Sequence, residues 1–142
     1  MKLYSMNISR RIALIAKSFK QIILQPISSV PALRKFLLKN GFKISNEYIV
    51  FENNIYSFII EAENGNEEYT EAEYLFGKKL IESKNRDFQE IILLEAERKK
   101  RLKAKIMSVK PDADESIAKI NAWLELAEVA ATCSRHLTPD GD

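Results

Sequence analysis

The most concentrated chemical signal in the chain is Arg98-Lys99-Lys100-Arg101-Leu102-Lys103-Ala104-Lys105, in which six of eight residues are basic. On a helix such a run covers most of the circumference. Nucleic-acid phosphates would be drawn to it by counterion release. Glu90, Glu95 and Glu97 stand close enough to offer ion pairs, so a solvated helix face is an equal reading of the run alone. The rest of the charge tips the balance toward RNA. Net charge is only +2, yet residues 1–43 hold nine bases and no acid, while Glu61 to Glu73 holds six glutamates and no base. Lopsided charge points to a polyanion partner more strongly than the total does. No aromatic residue interrupts the basic run, which favours backbone contact over base stacking.

Other candidate chemistry is weak. His136 has no cysteine or histidine at ligand spacing, so no metal is expected. Cys133 is the single cysteine, which excludes a disulfide framework and fits a reducing compartment; a buried or half-buried inert thiol is expected. The glutamate run reads as a solvated loop, and Trp123 as a packing residue. The four glycines, Gly41, Gly65, Gly77 and Gly141, are not clustered, so no phosphate-cradling loop exists in the sequence. No apolar run reaches membrane-spanning length and no signal-peptide pattern is evident, so a soluble cytoplasmic protein is expected.

The elements that must carry these residues follow from periodicity. Asn7 or Ser9 caps a predicted helix to about Phe19, with Ile8, Ile12, Ile15 and Phe19 on one face. Gln21 to Gln25 is apolar on both faces, as a strand inside a parallel sheet requires, and Pro26 ends it. A helix starts after Ser29 at Val30-Pro31 and stops at Asn40-Gly41, with Arg34 and Lys35 facing out. Phe42 to Glu52 and Ile55 to Ala62 form a hairpin turning at Asn53-Asn54, with Tyr56, Phe58 and Ile60 on one face. After an acidic loop, a short amphipathic segment is interrupted by Gly77. A long helix spans Asn85 to Val109, its apolar positions Phe88, Ile91, Ile92, Leu94, Leu102 and Ile106, and Pro111 breaks it. An Asp112-started capping box opens a last helix to about Cys133, with a seam of Ile117, Ile120, Leu124, Ala127 and Ala131. These two helices should pair antiparallel, leaving Ser134 to Asp142 as a disordered polar tail.

In order and spacing, Gln21-Ile22-Ile23-Leu24-Gln25-Pro26, Leu33-Arg34-Lys35-Phe36-Leu37, Asn40-Gly41-Phe42 and Tyr56-Ser57-Phe58-Ile59-Ile60-Glu61-Ala62-Glu63 resemble the bacterial TrmK-type tRNA (adenine-22-N1)-methyltransferases. Phe76-Gly77-Lys78-Lys79-Leu80 resembles the family's following G-P-x-L turn, with Lys78 in place of proline. The resemblance covers about Lys20 to Met107, and the last helix by architecture. It implies a Rossmann-like fold, tRNA as partner and S-adenosylmethionine as cofactor. The family builds its cofactor site from a D-I-G-S-D-H turn and an A-G-M-G-G turn upstream of the Q-P strand, and this sequence contains neither. It also has Ile27 where the family's loop has asparagine. By resemblance Gln25 and Pro26 lie near the substrate.

The fold class expected is therefore α/β. A partial Rossmann-like methyltransferase sheet (strand, helix, strand-strand hairpin) occupies residues 1–69, and an antiparallel, coiled-coil-like helical hairpin residues 70–142. The function expected is that of the C-terminal half of a truncated or split tRNA methyltransferase, inactive alone. Arg34, Arg98, Lys99, Lys100, Arg101, Lys103 and Lys105 are the expected phosphate contacts. An uncovered strand edge at Ile22 to Leu24 should favour a homo-oligomer or pairing with a complementary N-terminal half. A non-catalytic RNA-binding or protein-interaction module is the alternative.

Overall fold

The computed structural model describes residues 20–26 and 29–136. The helix expected up to Phe19 lies outside the described residues. The elements are β1 (Ile22–Leu24), α1 (Val30–Lys39), β2 (Phe42–Glu52), β3 (Ile55–Asn64), α2 (Glu71–Phe76), α3 (Lys78–Ser83), α4 (Arg86–Val109) and α5 (Asp114–His136). They divide into two compact units, the first ending at Leu80 and the second beginning at Ile81.

In the first unit the three strands lie in the order β1-β3-β2. The hairpin forms as its turn residues require: Asn53 and Asn54 take φ of 53° and 61°, which asparagine tolerates well. β1 pairs antiparallel with β3, Leu24 opposite Ile60. The expected parallel neighbour of β1 is not among the described residues. Because β3 runs antiparallel to both outer strands, β1 and β2 point the same way, and α1 is the crossover between them.

A register shift between Ile44 and Asn46 places Ile44 opposite Ala62 and Glu47 opposite Ile60. Ile44 and Glu47, three residues apart, therefore share one face, which strict alternation forbids. That face packs on α1. Leu33, Leu37, Phe42, Ile44, Ile60 and Ala62 form the core, with Ile22, Leu24, Val30, Phe36, Leu38 and Tyr69 against it.

α1 starts at Val30 as expected, but Ser29 makes no side-chain cap; its φ is 54°. Pro31 stands in the first turn, where its missing N–H removes a donor that would otherwise need a partner. α2 is capped by a box the sequence displays as Thr70-Glu71-Ala72-Glu73. The Thr70 hydroxyl accepts from the Glu73 N–H (3.2 Å), and the Glu73 carboxylate accepts from the Thr70 N–H (2.8 Å). Gly77, at φ 93°, separates α2 from α3, as the interrupted pattern predicts.

In the second unit Asn85 caps α4, accepting from the Asp87 and Phe88 N–H groups. α4 and α5 pack together across the turn at Pro111. Lys99 and Trp123, about equally distant from that turn, meet with the ammonium 5.5 Å from the ring centroid, as an antiparallel pair requires. Phe88 and Ile92 of α4 and Ile120, Ala127 and Ala130 of α5 are buried.

Several expectations are corrected here. Leu94 and Leu102 are exposed rather than on the apolar stripe. At about 100° per residue, Leu94 lies on the far side of the helix from Ile92 and Leu102 on its flank. α5 begins at Asp114 instead of following directly on Asp112, whose carbonyl accepts from the Asp114 N–H in the turn. It runs to His136, past the expected tail boundary. Cys133 is exposed, not half-buried, since it falls off the Ile120-Ala127-Ala130 face.

Candidate nucleic-acid interface and the buried ion pair

α4 carries the whole basic run, and its packing on α5 sorts the cations by direction. Arg98, Arg101 and Lys105 follow the i, i+3, i+7 spacing of one stripe and are all exposed, as is Lys100. Lys99 and Lys103 are half-buried on the packing side. Lys99 is engaged by Trp123, so its ammonium is held over an aromatic face. Trp123 is thus both a packing residue and a cation acceptor.

Two of the outward cations have carboxylate partners on their own helix. Arg98 pairs with Glu95 at 2.7 Å and Lys100 with Glu97 at 3.7 Å. Such exposed pairs are worth about 0.2–1 kcal/mol and exchange readily for phosphate. Among the described residues Arg101, Lys103 and Lys105 have no ion-pair partner. The stripe can therefore track a phosphate backbone, Arg101 and Lys105 being its least committed members.

Arg34 does not face out. It is 1% exposed, and four of its five N–H groups are bonded inside the first unit. Nε and Nη2 donate to the two carboxylate oxygens of Glu47 at 2.9 and 2.8 Å. Nη1 donates to the carbonyls of Tyr74 and Leu75, both at 2.9 Å, near the C-terminus of α2. A cation there also meets the negative end of the helix dipole. Arg34 is removed from the set of phosphate contacts because its side chain is buried and four of its five N–H groups are committed to Glu47 and to the Tyr74 and Leu75 carbonyls. This clamp also explains why residues 70–80, expected with the helical extension, stay with the sheet unit.

Glu47 escaped the sequence reading. Its position in a Tyr-Ile-Val-Phe strand looks solvent-facing until the bulge turns it inward, and nothing local in the sequence signals that bulge. Gly77 closes the site: a Cβ there would stand 2.8 Å from both Arg34 Nη2 and Glu47 Oε2. Beside it, the Tyr69 hydroxyl is buried with no hydrogen-bond partner among the described residues. Burial, then the nearby Glu67 and Glu47 carboxylates, push its pKa well above the ordinary tyrosine value, so it stays a neutral phenol.

Gln25 and Pro26 follow β1 directly, Gln25 exposed and Pro26 half-buried. β1 and β2 run the same way, but β1 stops with Leu24 opposite Ile60, so this corner leaves the sheet at the middle of β3, short of the hairpin turn beyond Ile55. Among the described residues no group of three His, Cys, Asp or Glu side chains could hold a metal ion. No helix among them is long and apolar enough to cross a membrane.

Residues 7–129 match the model of the family described as TrmK, tRNA (adenine(22)-N(1))-methyltransferase. The chain belongs to the TrmK family. Solved structures share its fold. An uncharacterized protein from Listeria monocytogenes serotype 4b superposes with a TM-score of 0.81 at 22% identity, covering 87% of this chain and 56% of its own. The Bacillus subtilis m1A22 tRNA methyltransferase TrmK gives 0.71 at 21% identity, covering 84% and 58%. Mycoplasma capricolum TrmK, solved with S-adenosylhomocysteine, gives 0.70 at 18%, covering 89% and 57%. No curated protein matches. The present chain thus spans little more than half the length of these solved structures.

The backbone at Gly65 is covered by the Lys43 side chain, 2.8 Å from a Cβ built there, and at Gly77 by Arg34 and Glu47, so neither glycine leaves open backbone for a ligand to approach.

Proposed function

We propose that this chain supplies the tRNA-facing, C-terminal portion of an S-adenosylmethionine-dependent tRNA (adenine(22)-N1)-methyltransferase in the cytoplasm, and is inactive without the cofactor-binding portion. The observation that carries the reading is the family match over residues 7–129 on a chain spanning 56–58% of the solved relatives. It is supported by the two cofactor turns missing from the sequence. In this reading the helical hairpin of the second unit grips the tRNA backbone through Arg98, Lys100, Arg101 and Lys105. Lys103 adds a flank contact, and Lys99 stays on Trp123. Gln25 and Pro26 lie near the target adenine.

Calorimetric titration with S-adenosylmethionine tests it. No saturable heat is expected from the chain alone; one-to-one binding contradicts the proposed inactivity. The favoured second reading is a non-catalytic RNA-binding module, because the basic stripe needs nothing from the sheet unit's strand ends. Restoration of methyl transfer to tRNA by adding a cofactor-binding portion separates the two.

A further inference from the structure

β1 flanks only part of the hairpin. It stops with Leu24 opposite Ile60, while β2 and β3 stay paired for five further positions, from Tyr48 opposite Ile59 to Glu52 opposite Ile55. At about 3.4 Å per residue the two strands run on for roughly 17 Å past β1. This arm keeps exposed apolar side chains on both faces. Tyr48, Val50 and Ile55 lie on one and Phe51 on the other. Phe51 shares its face with Tyr56, their ring centroids 4.5 Å apart and tilted by 35°. A cross-strand ring pair steadies a hairpin. It does not account for Phe51, which is still 52% exposed within the pair. Two strands by themselves are marginal in water, so rings left bare near their turn call for a partner.

We propose that Phe51 and Tyr56 stack against an unpaired base of the RNA substrate. The inference rests on the proposed function and adds the side chains that hold the nucleotide. Chemistry supports it. The family's reaction is at N1 of an adenine. That atom lies on the pairing edge of the base, so it reacts only when the base is out of its pair. Taking a base out of the stack bares ring faces that an aromatic side chain can cover. Place supports it as well. The arm runs on past the end of β1 that carries the Gln25-Pro26 corner. Charge favours bases over phosphates. Residues 48–59 hold one acid, Glu52, and no lysine or arginine. A phosphate would find no cation on the arm, whereas stacking on a ring needs none. The basic run of α4 has the opposite make-up, cations without rings, and suits the backbone.

Binding titrations of the full chain test this, with an adenine-bearing single-stranded RNA and a fully paired RNA duplex as probes. The Phe51→Leu, Tyr56→Leu double variant keeps apolar bulk on the strands but removes both rings. It is expected to bind the single strand at least roughly five-fold more weakly and the duplex about as well as the wild type. The salt dependence of single-strand binding should be unchanged, since no phosphate contact is lost. Phe51→Tyr, which keeps the ring, should bind as the wild type does. Single-strand binding indifferent to the double variant overturns the proposal. So does an equal loss on single strand and duplex, which marks a structural role, or a wild type that does not bind the single strand. A homodimer of the chain that the double variant splits overturns it too. Binding that depends on Arg101 but not on the two rings leaves the proposed function standing and removes the arm from it. Ring-dependent binding that ignores Arg101→Glu supports the arm and faults the basic helix.

Discussion

Arg34 and Glu47 meet fork to fork in the interior, at 2.9 and 2.8 Å, with side chains 2% and 0% exposed. The guanidinium's remaining bonds to the Tyr74 and Leu75 carbonyls tie α2 to the sheet. Removing one member leaves a buried charge unpaired, which costs about 3–5 kcal/mol. Arg34→Met and Glu47→Leu should each lower the urea midpoint sharply. The double variant should recover much of the loss, as a double-mutant cycle would register.

Gly77→Ala should destabilise by roughly 1–3 kcal/mol. The residue sits at φ 93°, and the added carbon would meet Arg34 and Glu47 at 2.8 Å. Thermal melting checks this. In an Arg34→Met, Glu47→Leu background the steric part should diminish and the backbone part persist.

Tyr69→Phe should stabilise by about 1 kcal/mol, because it deletes a buried hydroxyl with no partner. It should also alter the alkaline limb. The folded-state pKa is raised above the ordinary value of 10.0, so stability from the neutral phenol is intact below that pH and falls away above it. Chemical denaturation from pH 8 to 11 should show the wild type losing more stability above pH 10 than Tyr69→Phe.

Lys99 and Arg101 should separate by assay. Lys99→Glu faces Trp123 and should lower the melting temperature of the second unit as well as tRNA affinity. Arg101→Glu lies on the exposed stripe and should reduce tRNA affinity with stability unchanged within about 0.5 kcal/mol.

Much of the fold is legible because local signals are strong. Asn53-Asn54, Asn40-Gly41, Gly77, Asn85 and Pro111 punctuate the chain where the elements begin and end. The α5 seam at Ile120 and Ala127 is buried where the three-four spacing puts it. The failures share a cause. The inward turn of Glu47 depends on a bulge, and the burial of Arg34 depends on Glu47, forty-residue-distant Tyr74 and Leu75. Periodicity within one element cannot register a partner that another element supplies. Position on the basic helix is similar: the run itself is evident, but only α5 decides that Lys99 and Lys103 turn inward while Arg98, Arg101 and Lys105 face out.

The salt dependence of tRNA binding tests the central claim most directly. Engagement of the Arg98, Lys100, Arg101 and Lys105 face predicts log affinity falling linearly with log salt, with a slope of roughly −3 to −4. Arg101→Glu with Lys105→Glu should flatten that slope by about 2. No binding at low salt, or a slope unchanged by the double substitution, would contradict it.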